Sequence, residues 1–216
     1  MPDVRQRPNA HPSAFVEHVV AALRFSFAPH LAASAFSLVV ALGVASCTRP
    51  FTVEPVARFE NAEAALASAK NSRERFYALP AAAKAAFNVG RTGDATAYAV
   101  EGLALSKRFP GDWNYGNAVH DGHLVLGRAA LKRGNRSAAR QHLLEAGDTP
   151  GSPQLNSFGP NMTLARDLLL AGERDCVLTY FTKCRRFWSM GRKQLAEWEL
   201  EVQQQRIPTF RGNLLL

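Results

Sequence analysis

A glycine followed by an acidic residue or an asparagine occurs three times between residues 76 and 188. Each time it separates two stretches in which apolar residues have helical spacing. Glycine can adopt the left-handed backbone conformation that ends a helix, and small residues at one register let helices pack closely. The pairs are Gly93-Asp94, Gly134-Asn135 and Gly172-Glu173, and the small residues seven positions earlier are Ala86, Gly127 and Ala165. The pattern predicts an all-α domain of repeated helix–turn–helix units.

The second copy has the fullest set of these positions. It runs from His123 through Gly127 to Gly134, and small or apolar residues follow at positions 138, 139, 143 and 146. This arrangement resembles a tetratricopeptide repeat (TPR). The early tryptophan of that family is absent from all three copies, and the glycines lie 41 and 38 residues apart, against a usual repeat of about 34. The resemblance implies about three helix pairs with a C-terminal capping helix, acting as a protein-binding scaffold without chemistry of its own.

Composition shifts divide the chain into four predicted segments. Residues 1–46 are a signal or membrane-targeting segment, 47–58 an extended tether, 59–205 the TPR-like domain and 206–216 a tail. Asn71 and Ser72 are expected to start a fresh helix, and Pro80 is expected to open the next one. The other predicted helices cover residues 60–70, 95–107, 117–133, 136–145, 161–170, 174–187 and 192–205. Residues 109–116 and 149–160 are expected to be loops.

The apolar faces of two predicted helices can be read from their spacing. In helix 60–70, Ala64, Leu66 and Ala67 are expected on the apolar side. In helix 192–205, Leu195, Trp198 and Val202 are expected on one side.

Residues 31–46 carry no formal charge and are rich in Ala, Leu, Val and Phe. Sixteen helical residues span about 24 Å, short of the roughly 30 Å hydrocarbon core, which favours a cleaved signal over a spanning helix. The run ends in Val44, Ala45, Ser46 and Cys47, which together resemble a bacterial lipobox. That resemblance implies lipid attachment to the Cys47 thiol and cleavage before it. Thr48, at the position after the cysteine, would suggest the outer membrane.

Alternatives stay open for this segment. A leader of 46 residues exceeds the usual length of about 15–30, so translation could start near Val16, Val19 or Val20, or residues 14–46 could form a longer anchor. Cys47 could also be an unmodified residue of an apolar helix. Unpaired thiols are unusual in an oxidising compartment, so Cys176 and Cys184, which we expect to be small core residues, favour the alternative of a cytoplasmic location.

The net charge gives a weaker indication of the partner. Residues 1–47 contain three arginines and two acids, so +7 of the formal net charge of +8 lies beyond residue 47. A basic surface suits acidic proteins, anionic lipids or nucleic acid. The basic residues are scattered and do not alternate with aromatics, so we expect a protein or peptide partner, with acidic character, and no nucleic acid.

Two arginines stand at the same position of their copies. Arg128 and Arg166 both lie six residues before the turn glycine. The TPR resemblance implies that the first helix of each pair lines a concave groove, which would place both side chains there, near Lys132. Since arginine binds carboxylates through paired donors, the groove would take an acidic peptide, and reversing either charge should abolish capture of the partner. Alternatively, each arginine pairs with a nearby acid such as Asp121 or Asp167.

The predicted loop 109–116 contains Trp113 and Tyr115 among glycine, proline and aspartate. Loops on a rigid scaffold often carry recognition residues, so both aromatics are candidate partner contacts. The alternative is that they fold back over the neighbouring hydrophobic layer.

Little in the sequence indicates chemistry. His120 and His123 have the i, i+3 spacing of a helical chelate, but His142 belongs to another predicted helix, so a third ligand is lacking and we expect no metal. Phosphate-binding glycine loops, serine nucleophile elbows and paired carboxylates are absent from the sequence. We therefore expect a non-enzymatic, cofactor-free scaffold, lipid-anchored at a bacterial envelope membrane. The alternative is a cytoplasmic or N-terminally anchored adaptor that assembles a complex.

Overall fold

The computed structural model describes residues 54–214. Within this range the chain forms nine α-helices and one short 3-10 helix, with no strand, so the all-α prediction is confirmed. The helices are α1 (Pro55–Ser68), α2 (Ser72–Asn88), α3 (Thr92–Ser106), α4 (Tyr115–Lys132), α5 (Arg136–Gly147), α6 (Pro153–Phe158), α7 (Thr163–Leu170), α8 (Arg174–Cys184) and α9 (Arg192–Gln203); the 3-10 helix is Arg211–Leu214.

Three of the inter-helix turns have the same hydrogen bonds. They follow α2, α4 and α7, and each has a glycine with positive φ, namely Gly90 at 83°, Gly134 at 77° and Gly172 at 87°. The amide after each glycine donates to a carbonyl five residues earlier, at 2.9 Å in all three: Arg91 to Ala86, Asn135 to Ala130 and Glu173 to Leu168. This is the Schellman arrangement, in which glycine avoids the steric cost of the left-handed conformation.

The first of these turns corrects the predicted register. Gly93 was expected to be the turn glycine, but it lies inside α3, and the turn is made by Gly90. The small residue seven positions earlier is therefore Ala83 rather than Ala86, although both are buried. A Schellman turn needs its glycine directly after the C-cap residue, and Val89 is the C-cap of α2.

Each of these turns joins two helices that pack on each other, giving the pairs α2–α3, α4–α5 and α7–α8. Helix α4 also packs on both α2 and α3, and α7 packs on both α4 and α5. Gly127 lets α4 approach its neighbours, because a Cβ there would lie 2.3 Å from Cδ2 of Leu164 and 3.1 Å from Cβ of His142. The small residue at this register is therefore required by close packing.

The start of the fold differs from the prediction at two prolines. Pro80 was expected to open a helix but lies inside α2, which Asn71 caps as predicted by accepting the amides of Arg73 and Glu74. Continuing through Pro80 costs an internal hydrogen bond, but it keeps one buried face running from Phe76 to Ala86. Pro55 already begins α1, so the predicted tether cannot include residues 55–58.

Helix α1 also faces the core differently from the prediction. Ala64, Leu66 and Ala67 were expected on its apolar side; Leu66 is buried as expected, but Ala64 and Ala67 are exposed. Phe59 and Leu66 are the buried residues of this helix. These two residues are seven positions apart, so they lie on one helical face.

The C-terminal part contains more structure than predicted. The expected loop 149–160 includes helix α6, which buries Leu155. The expected tail belongs to the core: Phe210 is fully buried, with its ring centroid 4.9 Å from that of Trp198. Its backbone is also fixed, since the amide of Met162 donates to the carbonyl of Asn213 at 2.7 Å. As predicted, α9 buries Leu195, Trp198 and Val202 on one face.

None of the helices within residues 54–214 has both the length and the apolar character needed to cross a membrane. The predicted signal segment, Cys47 and the first part of the predicted tether lie outside the described residues.

Candidate functional site

Basic side chains link successive helix pairs. With Gly90 as the first turn glycine, Lys84 takes the position six residues before it, equivalent to Arg128 and Arg166. Lys84 Nζ lies 2.7 Å from Asp121 Oδ2 on α4, and Arg128 Nε lies 3.2 Å from Asp167 Oδ2 on α7. Each cation thus binds an acid on the first helix of the next pair. Arg128 forms the ion pair that the sequence offered as the alternative to partner binding.

Arg128 is held between three helices. Its guanidinium carbon lies 4.5 Å from the ring centroid of Phe87 on α2, and its side chain is only 19% exposed. Nη1 is buried and has no hydrogen-bond partner among the described residues. Cation–π contact and the Asp167 ion pair offset part of the cost of burying this charge. Arg128 therefore packs as an interface residue, while partner binding by it stays a prediction.

Lys132 and Arg166 differ from Arg128 in exposure. Both are exposed, and Arg166 has no ion-pair partner within residues 54–214. Lys132 Nζ lies 5.9 Å from the Phe87 ring centroid and 3.4 Å from Thr92 Oγ1. Arg133 and Arg136 are exposed beside it. We call Lys132, Arg133 and Arg136 the basic edge, because they surround one turn and face solvent.

Trp113 packs on a neighbouring ring and is also exposed to solvent, so it fits both roles considered from the sequence, packing and partner contact. One side of its indole packs on Tyr77, with ring centroids 5.6 Å apart, yet the residue is 51% exposed. The Tyr77 hydroxyl donates to Asp112 at 2.7 Å, which fixes the loop beneath the indole. Tyr115 is half-buried at the start of α4. Of the two candidate aromatics, Trp113 therefore has more surface available to a partner.

A buried polar chain crosses the middle of the structure. His120 is fully buried, with Nδ1 3.2 Å from Asp121 Oδ1 and Nε2 3.1 Å from the hydroxyl of Tyr180. Burial tends to raise the pKa of Asp121, but the charge of Lys84 and the hydrogen bond from His120 together hold that pKa at about 2. Because both ring nitrogens of His120 are engaged, His120 and His123 do not form the chelate considered from the sequence.

A different cluster joins His123 to α5. Its Nδ1 lies 3.2 Å from Nδ1 of His142 and 3.0 Å from Oε2 of Glu145, and His142 Nδ1 is also 3.0 Å from that oxygen. The expectation that His142 is out of reach is therefore wrong, because α4 and α5 pack as a pair. The sequence signal was the i, i+3 spacing of His142 and Glu145, on a helix adjacent to that of His123.

The two described cysteines are unpaired, as expected. Cys184 is buried in the core, and Cys176 is half-buried with Sγ 3.6 Å from the carbonyl of Arg140. Burial raises the pKa of Cys176 to about 11 and also raises the pKa of Cys184. Both thiols are therefore protonated at neutral pH, which suits packing residues better than nucleophiles.

No protein-family model matches the sequence, and neither curated proteins nor solved structures show a significant similarity to the chain.

Proposed function

We propose that this chain is a TPR-like, non-enzymatic scaffold that binds another protein. The observation that carries the proposal is the recurrence of one turn, with a left-handed glycine and the same 2.9 Å hydrogen bond, after α2, α4 and α7. A helix pair that cannot bury its apolar face alone is stabilised by stacking on the next pair. Repeats of this kind present extended surfaces to partners.

The packing between helix pairs supports this proposal. The first helix of the second pair packs on both helices of the first, and the first helix of the third pair packs on both helices of the second. The Lys84–Asp121 and Arg128–Asp167 ion pairs join the same successive helices. Helix α9 packs on α8 with its apolar side and leaves charged residues exposed, as a capping helix should.

The exposed charges favour an acidic partner. Arg128 is engaged within the fold, whereas the basic edge faces solvent on one turn. Lys132 and Arg133 also line a shallow groove with Thr92, Gly93 and Thr96 of α3. We therefore propose that an acidic protein segment binds along the basic edge and this groove, with Arg166 as a further contact. Trp113 lies at the other end of the 18-residue helix α4, about 27 Å away, and is proposed as a separate contact.

For the location, we propose lipid anchoring at a bacterial envelope membrane through Cys47. The support comes from the sequence alone: an uncharged run of sixteen residues followed by the lipobox-like Val44, Ala45, Ser46 and Cys47. The alternative is a cytoplasmic or N-terminally anchored adaptor, which the unpaired thiols of Cys176 and Cys184 would suit.

One set of strains tests both parts. Full-length chains would be expressed in a bacterium as wild type, Cys47→Ser and the basic-edge variant Lys132→Glu/Arg136→Glu. Intact mass and membrane fractionation report lipidation, and in-cell cross-linking reports protein partners. We expect the wild type to lose residues 1–46, gain acyl mass and partition to the membrane, and the Cys47→Ser chain to keep residues 1–46 and gain no acyl mass. Cross-linked partners should be lost only from the basic-edge variant.

A matched charge reversal is available on α9. Arg192 and Lys193 are both exposed, and Arg192→Glu/Lys193→Glu changes the net charge by the same amount as the basic-edge variant. Equal cross-linking of the wild type and both double variants would refute the proposed binding surface. Full-length, unacylated wild-type protein would refute the lipoprotein proposal and leave the adaptor alternative.

A further inference from the structure

Three potential metal ligands converge between α4 and α5, away from the basic edge. They are Nδ1 of His123, Nδ1 of His142 and Oε2 of Glu145, separated by 3.0, 3.0 and 3.2 Å. All other described His, Cys, Asp and Glu side chains lack a comparable three-residue grouping. The three side chains are 20–36% exposed, so an ion could reach them from solvent.

We propose that His123, His142 and Glu145 bind a divalent first-row transition-metal ion such as Zn²⁺ or Co²⁺. Imidazole nitrogens and a carboxylate oxygen are the ligand types that these ions accept, and two histidines with one carboxylate leave further positions for water or another ligand. The ion would cross-link the second helix pair.

The distances between the three atoms fit such an ion. With metal–ligand bonds of about 2.1 Å, neighbouring ligands are about 3.0 Å apart in octahedral geometry and about 3.4 Å apart in tetrahedral geometry. The observed separations of 3.0–3.2 Å fall between these values. A circle through the three atoms has a radius of about 1.8 Å, so one point can lie about 2.1 Å from all three.

Neighbouring residues hold the ligands in place. Gln141 Nε2 donates to Oε1 of Glu145 at 2.9 Å, which leaves Oε2 directed at the histidines. Outer hydrogen bonds of this kind orient metal-binding carboxylates. Gly127, packed against Cβ of His142, keeps α5 close to α4.

A hydrogen-bonded cluster without metal would also bring the three side chains together. In that arrangement the Nδ1–H of each ring donates to the same carboxylate oxygen, Oε2 of Glu145, which can accept two hydrogen bonds. With a bound cation, all three atoms instead donate electron pairs to the ion. If the three side chains form a metal site, removing the Glu145 carboxylate should weaken metal binding. If they form only a hydrogen-bonded cluster, removing it should leave metal binding unchanged.

The test is Zn²⁺ binding to the untagged full chain, measured by calorimetry after chelator treatment, beside Glu145→Gln, His142→Asn and Gln141→Ala. We expect one tight Zn²⁺ in the wild type that raises the unfolding temperature. Loss of an outer-shell partner lowers metal affinity by about 10–100-fold, so Gln141→Ala should weaken binding by about tenfold and the two ligand changes by more than 100-fold. Bound Co²⁺ should show the visible spectrum of a nitrogen–oxygen site.

Two controls make the result decisive. Glu197→Gln removes a carboxylate on α9 that is 61% exposed and should leave Zn²⁺ affinity unchanged. His11, His18 and His30 lie outside the described residues and are further potential metal ligands in the full chain. The result is therefore read from the Zn²⁺ affinity that each variant loses, and not from the total amount of bound metal. Circular dichroism of the metal-free variants checks folding, and Glu145→Gln changes no volume. Equal Zn²⁺ affinity in wild type and Glu145→Gln would overturn the proposal.

Discussion

The two ends of the fold bury different kinds of side chain behind the same turn. Around α2 and α3 the core is dominated by alanines, which we call the alanine core: Ala83, Ala85, Ala86, Ala95 and Ala99. Around α8, α9 and the C-terminal segment it is dominated by rings, which we call the aromatic core: Tyr180, Phe181, Trp188, Trp198 and Phe210.

This difference shows that the geometry of the turn does not determine how much folding free energy the core behind it contributes. The hydrogen bonds of the Gly90 and Gly172 turns are the same, so the turn determines how a helix reverses and not what fills the space behind it. Alanine buries little area and stabilises mainly by letting helices approach closely. Burying a large apolar side chain contributes about 1.5–3 kcal/mol. We therefore expect the aromatic core to supply more of the folding free energy per residue than the alanine core.

The largest expected effect comes from deleting a ring of the aromatic core. Phe210 is fully buried, and its ring centroid lies 4.9 Å from that of Trp198 and 6.2 Å from that of Phe181. Phe210→Ala should lower the free energy of unfolding by about 3–5 kcal/mol, because it leaves a cavity. Urea denaturation followed by circular dichroism measures this change. Phe158→Ala is the control, since Phe158 is 78% exposed; equal losses in both variants would contradict the assignment.

The alanine core should respond to added volume instead. Ala95 is fully buried on α3, so Ala95→Leu forces its neighbours apart and should cost about 1–3 kcal/mol. Ala97→Leu adds the same atoms to an exposed position of the same helix and should be nearly neutral. Thermal unfolding of the two variants measures the difference. If Ala95→Leu were as stable as Ala97→Leu, the first two helix pairs would be more loosely packed than the structure indicates.

A smaller and pH-dependent effect should arise where the two regions meet. On the side of the alanine core, Asp121 forms an ion pair with Lys84. On the side of the aromatic core, Asp121 contacts His120, which is in turn hydrogen-bonded to the hydroxyl of Tyr180. The pKa of Asp121 is lowered from 3.8 to about 2 in the folded chain. A lowered carboxyl pKa adds stability that is present above the unfolded pKa and is lost as pH falls through the folded pKa. Asp121→Asn should therefore cost up to about 2.5 kcal/mol at pH 7.

The stability difference between wild type and Asp121→Asn should shrink between about pH 4 and pH 2. Urea unfolding at pH 7, 4 and 2 measures it, with Glu197→Gln on α9 as the control for removing an exposed acid. A difference that stayed constant with pH would show that the variant acts through packing rather than through the charge of Asp121.

The sequence predicted the parts of this fold that depend on local chemistry. Asn71 was identified as a cap because its side chain can accept amides at a helix start, and α9 was recognised from the spacing of Leu195, Trp198 and Val202. The first turn glycine was placed three residues too late, because Gly93 and Gly90 both follow a helical pattern. The prediction that Pro80 opens a helix was wrong, because burying one continuous face of α2 outweighed the local preference of proline for a helix start.

The candidate sites were harder to predict than the helices. The TPR resemblance placed Arg128 in a groove, and an ion pair with an acid such as Asp167 was the alternative. Its actual environment includes both Asp167 and Phe87, which are 39 and 41 residues away in the chain. The same limitation hid the cluster of His123, His142 and Glu145. Each residue was visible in the sequence, but the distance between α4 and α5 was not.

By itself, the sequence determined that residues 54–214 are all-α, since helical spacing, caps and turn glycines act within a few residues. Only the tertiary structure decided which charges are paired, which aromatics are buried and which histidines meet. Those outcomes depend on contacts between helices distant in sequence, where a shift of a few ångströms separates a buried ion pair from an exposed cation. Gly127 illustrates both kinds of information. The sequence shows that it lacks a Cβ, but only the structure shows that a Cβ there would prevent the close packing of α4, α5 and α7.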